Sequence, residues 1–193
     1  YTIDLFCHAI TSSKVFEKYR QDVLAGKRLT RIDFRAKEPW GWYAGVNANF
    51  TDGTKYSKVY TKDPYLVAYT SQITLNTGCG VCKVNRLPRQ GDLTMGDFWR
   101  VSDFDAALND NKGTSAVLLN NPKGAALFGA LQEQMPVVKE VPLQIAVSGN
   151  HCIERPDPLN KNRESFFKFF DQLPFTALTE GCRNNRLYEQ LGL

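Results

Sequence analysis

Residues 77–99 read TGCGVCKVNRLPRQGDLTMGDFW. Cys79 and Cys82 stand three apart among small residues. A basic loop follows, and then DLTMGDF, which predicts a strand bracketed by Gly91 and Gly96. Upstream, DPYLVAYTSQI predicts a helix with Asp63 at its cap and Pro64 in its first turn, running toward Cys79. Downstream, Asp103 to Gly113 is polar and predicts loops or a short helix. SAVLLN then reads as the clearest buried strand of the chain, and Pro122 opens a helix through Leu131.

The outer segments follow the same logic. Ile3 to Phe6 predicts a buried strand whose end presents Cys7. Ser12 or Ser13 caps a helix carrying Val15, Phe16, Tyr19, Val23 and Leu24 at helical spacing, and Gly26 ends it. LTRIDFR, WYAGVNANF and KYSKVYT predict strands, the last two joined at Asp52-Gly53, a hairpin signal. Val137 to Val147 reads as strand-like, broken by Pro142. Two amphipathic helices, Asn162 to Leu173 and Phe175 to Leu191, close the chain, the second suited to docking. Hairpins mixed with helices predict an α+β or mixed α/β fold. Its form is a layered sheet with flanking helices, over one domain spanning 1–193.

Composition excludes several classes. An apolar fraction of 42% over 193 residues supports a core without disulfide staples. The net charge of +4 comes from dispersed basic residues, and no aromatic-basic platform is evident, which argues against nucleic acid. The longest apolar runs are far short of the ~20 residues of a membrane helix. Five cysteines, Cys7, Cys79, Cys82, Cys152 and Cys182, are an odd number at irregular spacing, as expected of a reducing, cytoplasmic setting. The chain opens on Tyr1 with strand-like sequence, so it is expected to be a piece of a longer protein.

Three chemistries suit Cys79 and Cys82. A thioredoxin-like dithiol needs a preceding strand and a helix starting at the first cysteine; here a helix precedes and Lys83 to Pro88 is a loop. A structural zinc wants four ligands. There is no second C-x-x-C, the only histidines are His8 and His151, and Cys7 and His8 point to opposite faces of a strand. An iron–sulfur cluster takes two thiolates from a C-x-x-C and others from far away. Gly78 and Gly80 keep the loop clear, while Lys83, Arg86 and Arg89 offset anionic charge. Two inert cysteines beside a turn remain the plain alternative.

Further motifs lie in order along the chain. DLFCHAITSSKVFEKY, IDFRAKEPWGW, DPYLVAYTSQITLNTGCGVCKV, GDLTMGDFW, KGTSAVLLNNPKGAALF and GNHCIERPDPLNKNRESFF together resemble the C-terminal domain of the coenzyme F420 hydrogenase/dehydrogenase beta-subunit family. The chain departs from the family's Cys-His-Gly turn with Cys7-His8-Ala9, and has Asn121-Pro122 where a Thr is usual. The resemblance implies an oxidoreductase with a flavin, FAD, and a [4Fe–4S] cluster, with coenzyme F420 as a candidate hydride donor. It also implies an upstream half that shares the flavin, and a redox partner subunit. On this reading Cys79 and Cys82 are the first cluster ligands and Cys7 the third. Arg35 and Lys37, two apart on a strand, meet a flavin pyrophosphate or another anion. Asp97 orders the cysteine loop or touches the flavin, and Trp40 and Trp42 stack near a cofactor or fill the core. His8 bonds a sulfur, moves a proton or is a satisfied buried histidine; Cys152 is a small core or surface residue, and Cys182 is packing. The other reading is a domain of the same fold that binds no cofactor and serves assembly in a polysaccharide-synthesis system.

Overall fold

The computed structural model describes residues 1–184. The architecture is mixed α+β, as expected, with two three-stranded sheets and flanking helices. The chain divides into two compact units. The first is formed by residues 1–8 and 81–157, the second by residues 9–80 and 158 onward.

The first unit is built on β1 (Ile3–Leu5), β5 (Leu93–Asp97) and β6 (Ser115–Leu119). Strand β5 is central, parallel to β1 and antiparallel to β6. The DLTMGDF segment is therefore the buried strand here, with Leu93 and Thr94 inside. Two expectations are corrected by this order. Strand β1 is an edge strand, and its Ile3 and Leu5 are exposed while only Phe6, just past its end, is buried. SAVLLN is the opposite edge, with only Ala116 inside. Apolar runs at a sheet edge face the core with one side only. Around the sheet lie α3 (Val101–Phe104), α4 (Pro122–Gln132) and α5 (Leu143–Gly149).

Helix α5 overturns the strand expected over Val137 to Val147. Pro142, with φ −55°, stands at its N-cap and pre-sets the turn, and residues 133–142 form no regular element. Asp92 knits this unit at the foot of β5. It accepts from the Thr2 N–H (2.8 Å) and Asn121 Nδ2 (3.0 Å) and pairs with Lys123 (3.0 Å). Asn121 in turn caps α4 by accepting from the Gly124 N–H.

The second unit packs α1 (Ser13–Asp22), α2 (Pro64–Thr70), α6 (Arg163–Lys168) and α7 (Phe175–Arg183) on β2 (Leu29–Ala36), β3 (Gly45–Phe50) and β4 (Lys55–Val59). The meander order β2-β3-β4 is antiparallel, with Gly53 at φ +80° in the hairpin turn. Ser12 caps α1 and Asp63 caps α2, as expected. The core joins Val15, Tyr19, Ala48, Ala68, Ile73, Phe166, Phe175, Leu178 and Cys182, so Cys182 is a packing residue. Helix α6 is shorter than the expected Asn162 to Leu173, and α7 is described through Arg183. Residues 185–191 of the second predicted helix lie outside the described residues. Among the described residues no helix is long and apolar enough to cross a membrane.

Candidate functional site

Cys79 opens a single 3₁₀ turn, Cys79–Val81, and Cys82 follows it directly, where the chain passes from residues of the second unit to those of the first. Asn76 starts the turn, with its side chain accepting from the Gly78 N–H (3.0 Å) and its carbonyl from the Cys79 N–H (3.0 Å). Gly80 is required by packing, since a Cβ there would fall 2.7 Å from Leu159. Cys79 and Cys82 are half-buried, Cys7 is exposed, and none forms a disulfide. These thiols are accessible and soft, which is the donor chemistry an iron–sulfur cluster needs.

Within the first unit, Cys7 is tied to the loop that follows Cys82. Buried Asn85 donates to the Cys7 carbonyl (2.9 Å). Arg89 donates to the Asn85 side chain (3.0 Å) and the Leu5 carbonyl (2.7 Å), and its buried stem approaches Asp4. Arg89 thus holds the loop to the end of β1, whereas Lys83 and Arg86 remain exposed cations.

Asp97 ends β5, half-buried, and its carbonyl accepts from Asn150 Nδ2 (2.9 Å). Gly96 has no side chain because Phe6 occupies the space, with a Cβ falling 2.6 Å from its ring. In the second unit Arg35 and Lys37 are exposed at and just past the end of β2. Trp42 is buried, and the Trp40 ring fills the space a Cβ on Gly45 would need. Both indoles are engaged in packing. Exposed Arg35 and Lys37 offer positive charge to an anionic ligand.

A second convergence was not legible in the sequence. In the first unit His8, His151, Cys152 and Asp157 meet. Asp157, almost fully buried, receives His8 Nδ1 at 2.5 Å and Cys152 Sγ at 3.4 Å on Oδ2, and His151 Nε2 at 2.8 Å on Oδ1. Cys152 Sγ is also 3.8 Å from His151 Nε2. A 3₁₀ turn, His151–Ile153, sets these groups. Asn150 caps it by accepting from the Cys152 N–H (3.2 Å), and the same side chain ties it to Asp97. Burial, then the Asp157 charge, pushes the Cys152 thiol up to about 12. Burial works to raise the Asp157 carboxyl, but the His8 hydrogen bond and the two imidazoles outweigh it and hold the group at about 2. A buried thiol that donates to a carboxylate is a poor nucleophile, so this is no cysteine–histidine catalytic pair. Its only signal in the sequence was the pairing of both histidines with cysteine neighbours.

The first class these features define is a mixed α+β domain with metal-competent thiols on a turn. Residues 1–142 match the model of a family described as the C terminus of the coenzyme F420 hydrogenase/dehydrogenase beta subunit, and the chain belongs to that family. No curated protein and no solved structure matches the chain. The matched segment contains Cys7, Cys79, Cys82, Arg35, Lys37 and Asp97, and it ends before His151, Cys152 and Asp157.

Proposed function

We propose that the chain is an electron-transfer domain of a flavin- and iron–sulfur-dependent oxidoreductase. The observation that carries this reading is the family match over 1–142, which includes the C-x-x-C and the GDLTMGDFW strand. Cys79, Cys82 and Cys7 hold a [4Fe–4S] cluster as thiolates, with the Asn85–Cys7 tie fixing the third donor and Lys83 and Arg86 offsetting its anionic charge. Such a cluster, with FAD, supplies the conversion of a hydride's electron pair into single-electron steps, the proton leaving to solvent. Arg35 and Lys37 bind the pyrophosphate of FAD, and Asp97 orders the cysteine loop or touches the flavin. The flavin ring is held by the preceding part of the beta subunit, with reduced coenzyme F420 as the hydride donor. A redox partner subunit in a reducing, cytoplasmic setting takes the electrons.

In the full-length protein, Cys82→Ser is expected to lose iron and the visible absorbance that bleaches on reduction. Iron content equal to wild type would contradict the reading and favour an assembly or docking role for the same fold.

A further inference from the structure

Beyond that reading, and independent of it, we infer that His8 Nδ1, Cys152 Sγ and Asp157 Oδ2 form a mononuclear zinc site, with His151 as its positioning residue. The three donor atoms all lie within 4.8 Å of one another. A tetrahedral zinc with bonds of about 2.0–2.3 Å separates its donors by roughly 3.3–3.6 Å. The Cys152–Asp157 separation is 3.4 Å, within that range, and the shorter His8–Asp157 contact of 2.5 Å opens by side-chain adjustment as the ion enters.

The chemistry of the donors points the same way. Thiolate, imidazole and carboxylate together suit borderline-soft zinc better than calcium or magnesium, which select oxygen. Cys152 and Asp157 are 4% and 5% exposed, and two groups that become anions are crowded at one buried point. A divalent cation turns that crowding from a cost into an attraction. Metal entry displaces the protons that bridge these contacts, and they pass to solvent. Three protein donors leave a fourth position for water or another small ligand.

His151 binds the other oxygen of the Asp157 carboxylate. It fixes the orientation of that ligand, the role outer hydrogen-bond partners play in metal sites. The backbone prepares the site, because Asn150 locks the His151–Ile153 turn to the end of β5.

The test is zinc and cobalt titration of the full chain in a Cys79→Ser/Cys82→Ser background, which removes the competing thiols of the C-x-x-C. One zinc per chain is expected, and cobalt is expected to give a thiolate charge-transfer band. Cys152→Ala is expected to remove the band and weaken zinc at least about 100-fold, and His151→Ala to weaken it about 10- to 100-fold with the band retained. Circular dichroism establishes folding, and the near-isosteric Asp157→Asn reads the same loss of affinity if Cys152→Ala fails to fold. Absence of the cobalt band, or equal zinc affinity in the Cys152 and Asp157 variants and their parent, would overturn the site. Neither result bears on iron at Cys79 and Cys82.

Discussion

Asp63 shows how one buried carboxylate organises the second unit. It is fully buried and caps α2 through the Leu66 N–H (2.9 Å), while the hydroxyls of Tyr19 and Tyr56 both donate to its Oδ2 at 2.8 Å. Burial, then the Asp63 charge, pushes both phenols well above their ordinary range, so they remain donors at any working pH. Asp63→Ala removes the cap and strands two hydroxyls, and should cost about 3 kcal/mol in urea unfolding. Tyr19→Phe should cost about 1 kcal/mol, and equal costs for the two variants would contradict this account. The Asp-Pro signal made the cap legible. The tyrosines were not legible as its partners, since Tyr19 reaches Asp63 across 44 residues and local pattern carries no such information.

Among the strands and helices, the close approach of β5 to Phe6 is a sharp constraint. Gly96→Ala would press a methyl into the Phe6 ring and should destabilise the first unit by about 1–3 kcal/mol. In a Phe6→Ala background the same change should cost less, so an additive double-mutant cycle would contradict the contact. At the other end of β5, the Thr2 backbone N–H, then Asn121 and Lys123, hold the Asp92 carboxyl well below the ordinary range. A depressed folded-state value means the contribution is fully present above the unfolded carboxylate value of about 4 and is lost as pH falls below it. Asp92→Asn should therefore flatten the acid limb of the stability profile, and an unchanged limb would contradict the network. Helix caps, the Asp52-Gly53 turn and the DLTMGDF strand were all legible from local signals. Which strand is central was not, because β1 and β6 carry apolar runs like that of β5 and only pairing decides between edge and centre. The same limit explains α5: IAV suits strand or helix, and the Pro142 turn and the Phe98 contact at Gly149 decide.

Over the whole molecule, the two donor sets differ in how far apart their members lie along the chain. Cys79 and Cys82 are three residues apart, and a turn suffices to place them, so their spacing could be read directly. His8 lies three residues past β1, whereas Cys152 sits on the His151–Ile153 turn and Asp157 in the segment after it, more than 140 residues later. Only the folded first unit brings them together. A metal assay can therefore assign each ion to its donors through separate variants. The central claim, that Cys79 and Cys82 hold a redox cluster, is tested most directly by iron and acid-labile sulfide per chain in anaerobically reconstituted protein, wild type beside Cys79→Ser. The account predicts about four irons and four sulfides per wild-type chain, lost in the variant. Iron unchanged in Cys79→Ser, or absent from the wild type and from the full-length protein alike, would contradict it.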